Sequence, residues 1–300
     1  MDLSVFGFRA LWSPYFFIWI CILVTCYFLL MGPLRKKLSA DSPASKKQIS
    51  YFVTAMVLLY VIKGSPVDLL GHLMLSVHMV QMATLYLIIP PLLILAFPNW
   101  FYRWLLNVRY VKPVFSLFSK PLIALILFNG AFSFYHIPVI FDIVKTNSLL
   151  HAAVTIGIFI AAMLMWWPLI NTLEESQSLS GIKKIGYIFA DGILLTPACA
   201  LIIFAQEPLY ITYSDPTAWV NALKLCVPAD MLSSIQLTGP ELFNTLPLLE
   251  DQQLGGVLMK IIQEIVYGAI LAHIFFQWAK KDREQEEKEL EKYMTPQTIK

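Results

Sequence analysis

The side chains best suited to binding a metal lie in one apolar stretch, residues 71–98. Histidine and methionine inside such a segment are costly unless they serve a purpose. At about 100° per residue, one helical stripe carries two thioethers, an imidazole and an amide. Copper prefers such soft, neutral donors, whereas Mg²⁺ and Ca²⁺ prefer carboxylates. The alternative is structural, with thioethers filling gaps and the imidazole bonded to a neighbouring helix. The stripe consists of Met74, His78, Gln81 and Met82.

The composition predicts the setting of this stretch. Of the 300 residues, 58% are hydrophobic and only 14% are charged, whereas soluble domains have about 25% charged residues. A span needs roughly 20 apolar residues, and residues 71–98 exceed that. The chain is therefore expected to be an all-α, polytopic membrane protein embedded in a lipid bilayer. It has no basic patch with interleaved aromatic residues, so no nucleic-acid partner is expected.

Seven apolar segments can be drawn, although the second is short. Of the 22 basic residues, 17 fall in the loops after the first, third and fifth segments or in the C-terminal tail. The positive-inside rule then predicts an outer N-terminus and a cytoplasmic C-terminus. The transmembrane domain would comprise residues 1–280, followed by a charged cytoplasmic tail at 281–300. The segments are approximately 14–32, 50–63, 69–97, 121–138, 148–170, 185–205 and 254–279.

Three local features carry further expectations. The outer segment 206–253 is long enough to be functional, and its helically spaced Trp219, Leu223 and Val227 suggest a helix on the membrane surface. The Pro90–Pro91 pair removes two backbone donors and should kink or end the third segment. The mixed-charge tail is expected to extend the last span as a solvated helix.

This topology brings histidines from different spans to one level. His136 and His151 fall at the outer ends of the fourth and fifth segments, and His78 lies about 9 Å below His72 in the third. Histidines on separate helices can converge on one metal in a bundle. His72 is rotated by about 240° from His78 and is a weaker candidate, as is Met74. His273 belongs at the opposite end. The expected copper ligands are His78, His136, His151 and Met82.

The motifs resemble those of the CtaG family of caa3-type cytochrome c oxidase assembly factors. That resemblance implies a seven-span plasma-membrane protein that is needed to make active oxidase and that supplies its copper. Two departures stand out, because Met82 and the pair Val154–Thr155 occupy positions where the family often has His and Glu-His. The matching pieces are SVHMVQM (76–82), PPLLIL (90–95), FYHIPVIFD (134–142), LLHAAV (149–154), WWPLI (166–170) and DQQLGG (251–256).

Other functions stay open at this level. A copper transporter would need polar or soft groups continuing inward, yet below Met82 the third segment is nearly all aliphatic. A haem-binding redox protein could use His78 with His136 or His151. A scaffold for nascent oxidase subunits would need no metal. No GxSxG, HExxH or phosphate-binding glycine loop is present, so no enzyme activity is expected. The expected partners are oxidase subunits and copper-delivering proteins outside the cell. Asp191, inside the sixth segment, is expected to have a structural partner.

Overall fold

A computed structural model describes residues 3–38, 43–176, 179–228, 231–232, 239–243 and 246–294. Within these ranges every regular element is helical, which confirms the predicted all-α class. The helices are α1 Gly7–Trp12, α2 Pro14–Met31, α3 Arg35–Leu38, α4 Lys46–Gly64, α5 Pro66–Leu73, α6 Leu75–Ala83, α7 Ile89–Ala96, α8 Asn99–Leu106, α9 Val111–Phe118, α10 Pro121–Tyr135, α11 Pro138–Thr146, α12 Ser148–Ile170, α13 Gly181–Ile203, α14 Ile211–Ser214, α15 Pro216–Leu223 and α16 Leu248–Met294.

Among the described residues, five continuous helical segments are long and apolar enough to cross a membrane. Two bent pairs, α4 with α5 at 49° and α9 with α10 at 78°, bring the number to seven if each pair forms one span. The predicted polytopic membrane fold is therefore confirmed. The five continuous segments are Leu3–Met31, Leu75–Ala96, Ser148–Ile170, Gly181–Ile203 and Leu248–Glu284.

Large apolar side chains face outward along these helices. Leu149 is 80% exposed and Phe189 is 71% exposed, which would be costly in water at about 25 cal/mol per Å² of apolar surface. The buried core is instead rich in aromatic rings, including Trp166, Tyr86 and Phe128. An apolar exterior around an aromatic core is the arrangement expected of a helix bundle in lipid.

The third apolar segment is not one helix from residue 69 to residue 97, as the sequence suggested. Met74 is extended (φ −131°, ψ 132°) and separates α5 from α6. The new N-terminus of α6 is satisfied by Asp251 of α16, whose carboxylate accepts from the backbone N–H of Leu75 at 2.7 Å and from the Ser76 hydroxyl. A helix can begin inside a membrane protein when such a partner occupies its free N–H groups.

The Pro90–Pro91 pair does not end its span, which continues to Ala96. The helix instead widens into a π-helical turn at Thr84–Ile88, directly before α7. Because Pro90 has no N–H, the carbonyl four residues earlier, that of Tyr86, loses its helical donor. The buried Trp166 indole on α12 donates to that carbonyl at 3.0 Å. A tertiary hydrogen bond thus replaces the missing backbone bond.

The segment between α13 and α16 is folded onto the bundle wherever it is described. Trp219 and Leu223 on α15 are fully buried, and Val227 is 2% exposed. They pack against Phe6 and Leu69, among other apolar residues. The interpretation that this helix lies on the membrane surface is therefore wrong, because its apolar face is already covered by α5 and the N-terminal turn.

The charged C-terminal segment continues α16 as one helix to Met294, as predicted. Lys280 and Glu284 form an i,i+4 ion pair at 3.8 Å, with both side chains largely exposed. Residues 295–300 lie outside the described part of the chain, as does the side chain of Lys288.

Candidate metal centre

His78 and His136 share one aromatic environment. The His78 imidazole on α6 meets the Phe141 ring edge-on at a centroid distance of 5.3 Å and lies 6.2 Å from the Tyr135 ring. His136, directly after α10, lies 5.0 Å from Tyr135 and 6.2 Å from Phe141. Both imidazoles are buried, at 2% and 0% exposure. Two rings, from α10 and α11, therefore contact both histidines.

Hydrogen bonds hold both the side chain and the backbone of His136. The imidazole Nδ1 lies 2.8 Å from the Phe132 carbonyl oxygen, so Nδ1 carries the proton in the neutral tautomer. The Tyr210 hydroxyl donates to the His136 carbonyl at 2.9 Å. Pro138 begins α11 two residues later, and the chain must turn between α10 and α11 because a proline is best accommodated in a helix's first turn. The remaining nitrogen, Nε2, faces the buried interior with its lone pair available.

A second pair of histidines lies beside this one. The rings of His72 on α5 and His151 on α12 are 6.0 Å apart. Lys145 of α11 contacts α5, with its Nζ 3.3 Å from His72 Nδ1 and 3.4 Å from the Gly71 carbonyl oxygen. The Tyr213 hydroxyl donates to the same carbonyl at 2.6 Å. Helix α11 therefore presents Phe141 to the first pair and Lys145 to the second.

Three imidazole nitrogens are buried without a hydrogen-bond partner among the described residues: His78 Nε2, His136 Nε2 and His151 Nδ1. Buried polar atoms are normally satisfied, and an exception calls for an explanation. These atoms belong to the same three residues that the sequence indicated as ligands. Among the described residues, however, no group of three or more His, Cys, Asp or Glu side chains is arranged to hold a metal ion. Ligation by the three histidines thus stays a prediction.

The predicted stripe of Met74, His78, Gln81 and Met82 is wrong for two of its members. Met74 lies at the break before α6 and packs against the cluster around Trp219. The Gln81 amide turns away to the junction of α4 and α5, where it donates to the carbonyls of Ile62 at 2.7 Å and Val67 at 3.0 Å. Met82 is buried in the main core, one turn below His78.

Lys145 is the member of this region that the sequence reasoning missed. It is only 1% exposed, and the faces of Tyr213 and Phe141 lie 5.3 and 5.8 Å from its Nζ. Burial lowers the pKa of Lys145 to about 7, because desolvation disfavours the charged form. A signal existed, since Lys145 is one of the few basic residues that depart from the positive-inside pattern.

Two other sequence expectations can be settled. Asp191, 1% exposed, accepts hydrogen bonds from the Asn129 amide and from the Tyr267 hydroxyl, each at 2.5 Å. It therefore ties α13 to α10 and α16, which confirms a structural partner. His273 lies on the exposed surface of α16, with its Nε2 2.9 Å from the Gln277 amide nitrogen, away from the other histidines.

Comparison with known protein families decides the relationship. The model of a family described as "Cytochrome c oxidase caa3 assembly factor" matches residues 25–281. The chain belongs to that family. In this caa3 assembly factor family member the piece DQQLGG, one of those on which the resemblance rested, lies at an interhelical contact. Its Asp251 caps α6, and a side chain at Gly255 would place a Cβ 3.1 Å from both the Ser76 Cα and the Met79 Cγ. This glycine lets α16 approach α6 closely.

Two curated relatives of this family member are uncharacterized proteins of Mycobacterium bovis and Mycobacterium tuberculosis. Each is 25% identical over 252 residues, which covers 77% of this chain and 34% of the relative. The chain thus spans about a third of the length of these relatives. No solved structure matches it.

Proposed function

We propose that this protein assists the assembly of a caa3-type cytochrome c oxidase by holding copper at the outer leaflet for the maturing enzyme. The observation that supports the proposal is the set of unpartnered nitrogens on His78, His136 and His151. Structural histidines in a membrane bundle would be expected to hydrogen-bond a neighbouring helix. A bound metal would give such a nitrogen the partner that it lacks, and ligation by all three would require their side chains to move together.

The chemistry of the donors favours Cu(I). Imidazole and thioether are neutral, so binding a monovalent ion leaves less uncompensated charge in a low-dielectric interior than binding a divalent ion. His78, His136 and His151 would supply nitrogens, and Met82 lies one turn below His78 to supply sulfur. His72 and Met74 are weaker candidates. His72 already contacts Lys145, and Met74 packs in the Trp219 cluster.

The third span favours holding copper over carrying it across the membrane. Between Met82 and its far end at Ala96, the span buries the aliphatic side chains of Leu85, Leu87, Ile89 and Ile94. A transport path needs polar or soft groups at successive depths. Copper held at the end of the bundle that carries His78, His136 and His151 can be received from a copper-delivering protein outside and passed laterally to an oxidase subunit.

The direct test is Cu(I) binding to the purified full-length protein, measured by competition with a coloured Cu(I) chelator. We expect the triple variant H78A/H136A/H151A to lose competition, while H273A, which removes an exposed histidine near the middle of α16, competes as the wild type does. Thermal unfolding of both variants checks that they are folded. Equal copper competition by the triple variant and the wild type would refute a histidine site.

The cellular test separates assembly from copper. Deleting the gene should abolish assembled, active caa3 oxidase while its transcripts stay near normal. Full oxidase activity in copper-limited medium without this protein would refute the assembly role itself. If the triple histidine variant restores full activity in the deletion strain, assembly stands and the copper role is rejected.

A further inference from the structure

A cavity of about 620 Å³ lies at the end of the bundle opposite the histidines. It is bounded by α8, α9, the start of α10 and the loop after α12. Its apolar wall is formed by Phe115 and Trp167, whose rings meet edge-on at 5.0 Å. Ser116 and Ser119, whose hydroxyls are possible hydrogen-bond donors, are also among its lining residues. The cavity therefore combines an aromatic wall with hydrogen-bond donors.

The charges around this cavity are unbalanced. Arg103 is paired with Glu175, at 2.7 Å between Nε and Oε1. Lys112 and Lys120 also line the cavity, and neither belongs to an ion pair within the described part of the chain. The described lining thus has an excess of positive charge carried by two lysines. An anion entering here would meet both ammonium groups.

The helix that starts at the cavity adds to this potential. Lys120 is the N-cap of the 15-residue α10, and its side chain makes no capping hydrogen bond. The N-terminus of a helix carries a partial positive charge and free N–H groups. The N-terminus of α10 adjoins Lys112 and Lys120, so its partial positive charge adds to the positive potential of the two lysines.

An apolar surface continues outward from the same place. On α9, Val114 is 57% exposed and Leu117 46%, and on α10 Leu122 is 68% exposed. Tyr110, just before α9, is 77% exposed. These residues flank the bend between α9 and α10, where the span begins. A ligand suited to both surfaces has an anionic head and an apolar tail.

We propose that this cavity binds the phosphate headgroup of an anionic phospholipid, whose acyl chains lie along Val114, Leu117 and Leu122. Lys112 and Lys120 contact the phosphate, and the hydroxyls of Ser116 and Ser119 can donate to its oxygens. Charge complementarity selects the lipid, because the trimethylammonium group of a zwitterionic lipid would meet two lysines. Basic pockets at the cytoplasmic ends of spans bind headgroups in this way, and the basic-residue count predicts that this end is cytoplasmic.

The test uses full-length protein reconstituted in nanodiscs of equal parts phosphatidylglycerol and phosphatidylcholine, then extracted in mild detergent. Native mass spectrometry and lipid extraction measure what stays bound. We expect phosphatidylglycerol to be retained by the wild type and its affinity to fall about thirtyfold in K112Q/K120Q. The matched control is K36Q/K37Q, which removes the same charge from exposed lysines of α3 that do not line the cavity.

Four results would overturn the proposal. The first is equal phosphatidylglycerol retention by K112Q/K120Q and the wild type, and the second is equal loss in both double variants, which indicates general surface charge. The third is retention of phosphatidylcholine as strong as that of phosphatidylglycerol. The fourth result comes from adding inorganic phosphate to the extraction buffer, which tests whether the site binds the free anion. If the wild type retains no more phosphatidylglycerol than K112Q/K120Q but binds inorganic phosphate more tightly than that variant, the site binds the free anion and the lipid assignment is wrong. Lys112 and Lys120 are exposed, and the single variants K112Q and K120Q, each with a partial loss, guard against misfolding.

Discussion

Asp251 offers the sharpest test of how this fold is held together. Its carboxylate is 2% exposed and accepts from the N–H of Leu75 at 2.7 Å, from the Ser76 hydroxyl and, more weakly, from the Ser76 N–H at 3.4 Å. Replacing Asp251 with Ala leaves the buried N-terminus of α6 without its acceptor. The helix beginning there carries His78, so the same change would loosen one member of the candidate copper site.

The magnitude follows from the two short hydrogen bonds. A hydrogen bond to a charged group contributes about 1.5–3 kcal/mol, and loss of an N-cap alone costs about 1 kcal/mol. Counting the two short bonds at the lower figure and the long one as nothing, we expect D251A to cost about 3 kcal/mol. At about 2–4 °C per kcal/mol, the unfolding midpoint should fall by about 6–12 °C. D251N retains one carbonyl oxygen and should lose about half as much.

The assay is thermal unfolding in detergent, followed by tryptophan fluorescence. The matched control is D282A, which removes an exposed aspartate from the same helix. If D251A unfolds within 2 °C of both the wild type and D282A, using ~2 °C as the resolving limit, the carboxylate does not stabilise α6 as argued. A midpoint lowered equally in both variants would trace the effect to the charge of α16 instead.

The remaining predictions concern topology, close packing and pH. A cysteine placed at Lys46 should be labelled only after the membrane is permeabilised, and labelling of intact cells would reverse the orientation. G71A should unfold at a lower temperature, because its Cβ would lie 1.9 Å from Gln81 Oε1, whereas G157A, with no heavy atom within 4 Å, should not. Since the pKa of Lys145 is lowered to about 7 by burial, the unfolded chain binds a proton that the native chain lacks between about pH 7 and pH 10.4. Stability should therefore rise with pH in that window, and K145M should rise less steeply; equal slopes would contradict the burial.

The membrane architecture was predictable because it depends on runs of similar residues. The fifth segment, 148–170, coincides with α12, whose start is marked by the Asn147 cap on the Leu150 N–H at 3.0 Å. The break at Met74 was not predictable, because its cause is a carboxylate 175 positions away from Ser76. A local pattern contains no information about which distant side chain will supply the missing acceptor.

Some features of the candidate site were likewise predictable from the sequence, and others were not. Depth along each span follows from residue counting, so the placement of His78, His136 and His151 toward one end was foreseeable. The direction of a side chain depends on helix continuity, and the break at Met74 invalidated the stripe drawn through it. Gln81 turned to the α4–α5 junction because carbonyls left free at a bent junction need donors. The environment of Lys145 could not be read from its neighbours in sequence, since its partners come from three elements, α5, α11 and α14.

The contact between Asp251 and α6 also sets an order in time. The ribosome makes Leu75 and Ser76 long before it makes Asp251, at about 5–20 residues per second. For roughly ten seconds or more, the α6 N-terminus has no capping carboxylate, and the histidine end cannot take its final form. Binding of copper before the last helix inserts would therefore meet an incomplete site. Because Asp251 lies late in the chain, this protein must complete its own folding before the α6 end of the bundle is ready to act on a partner.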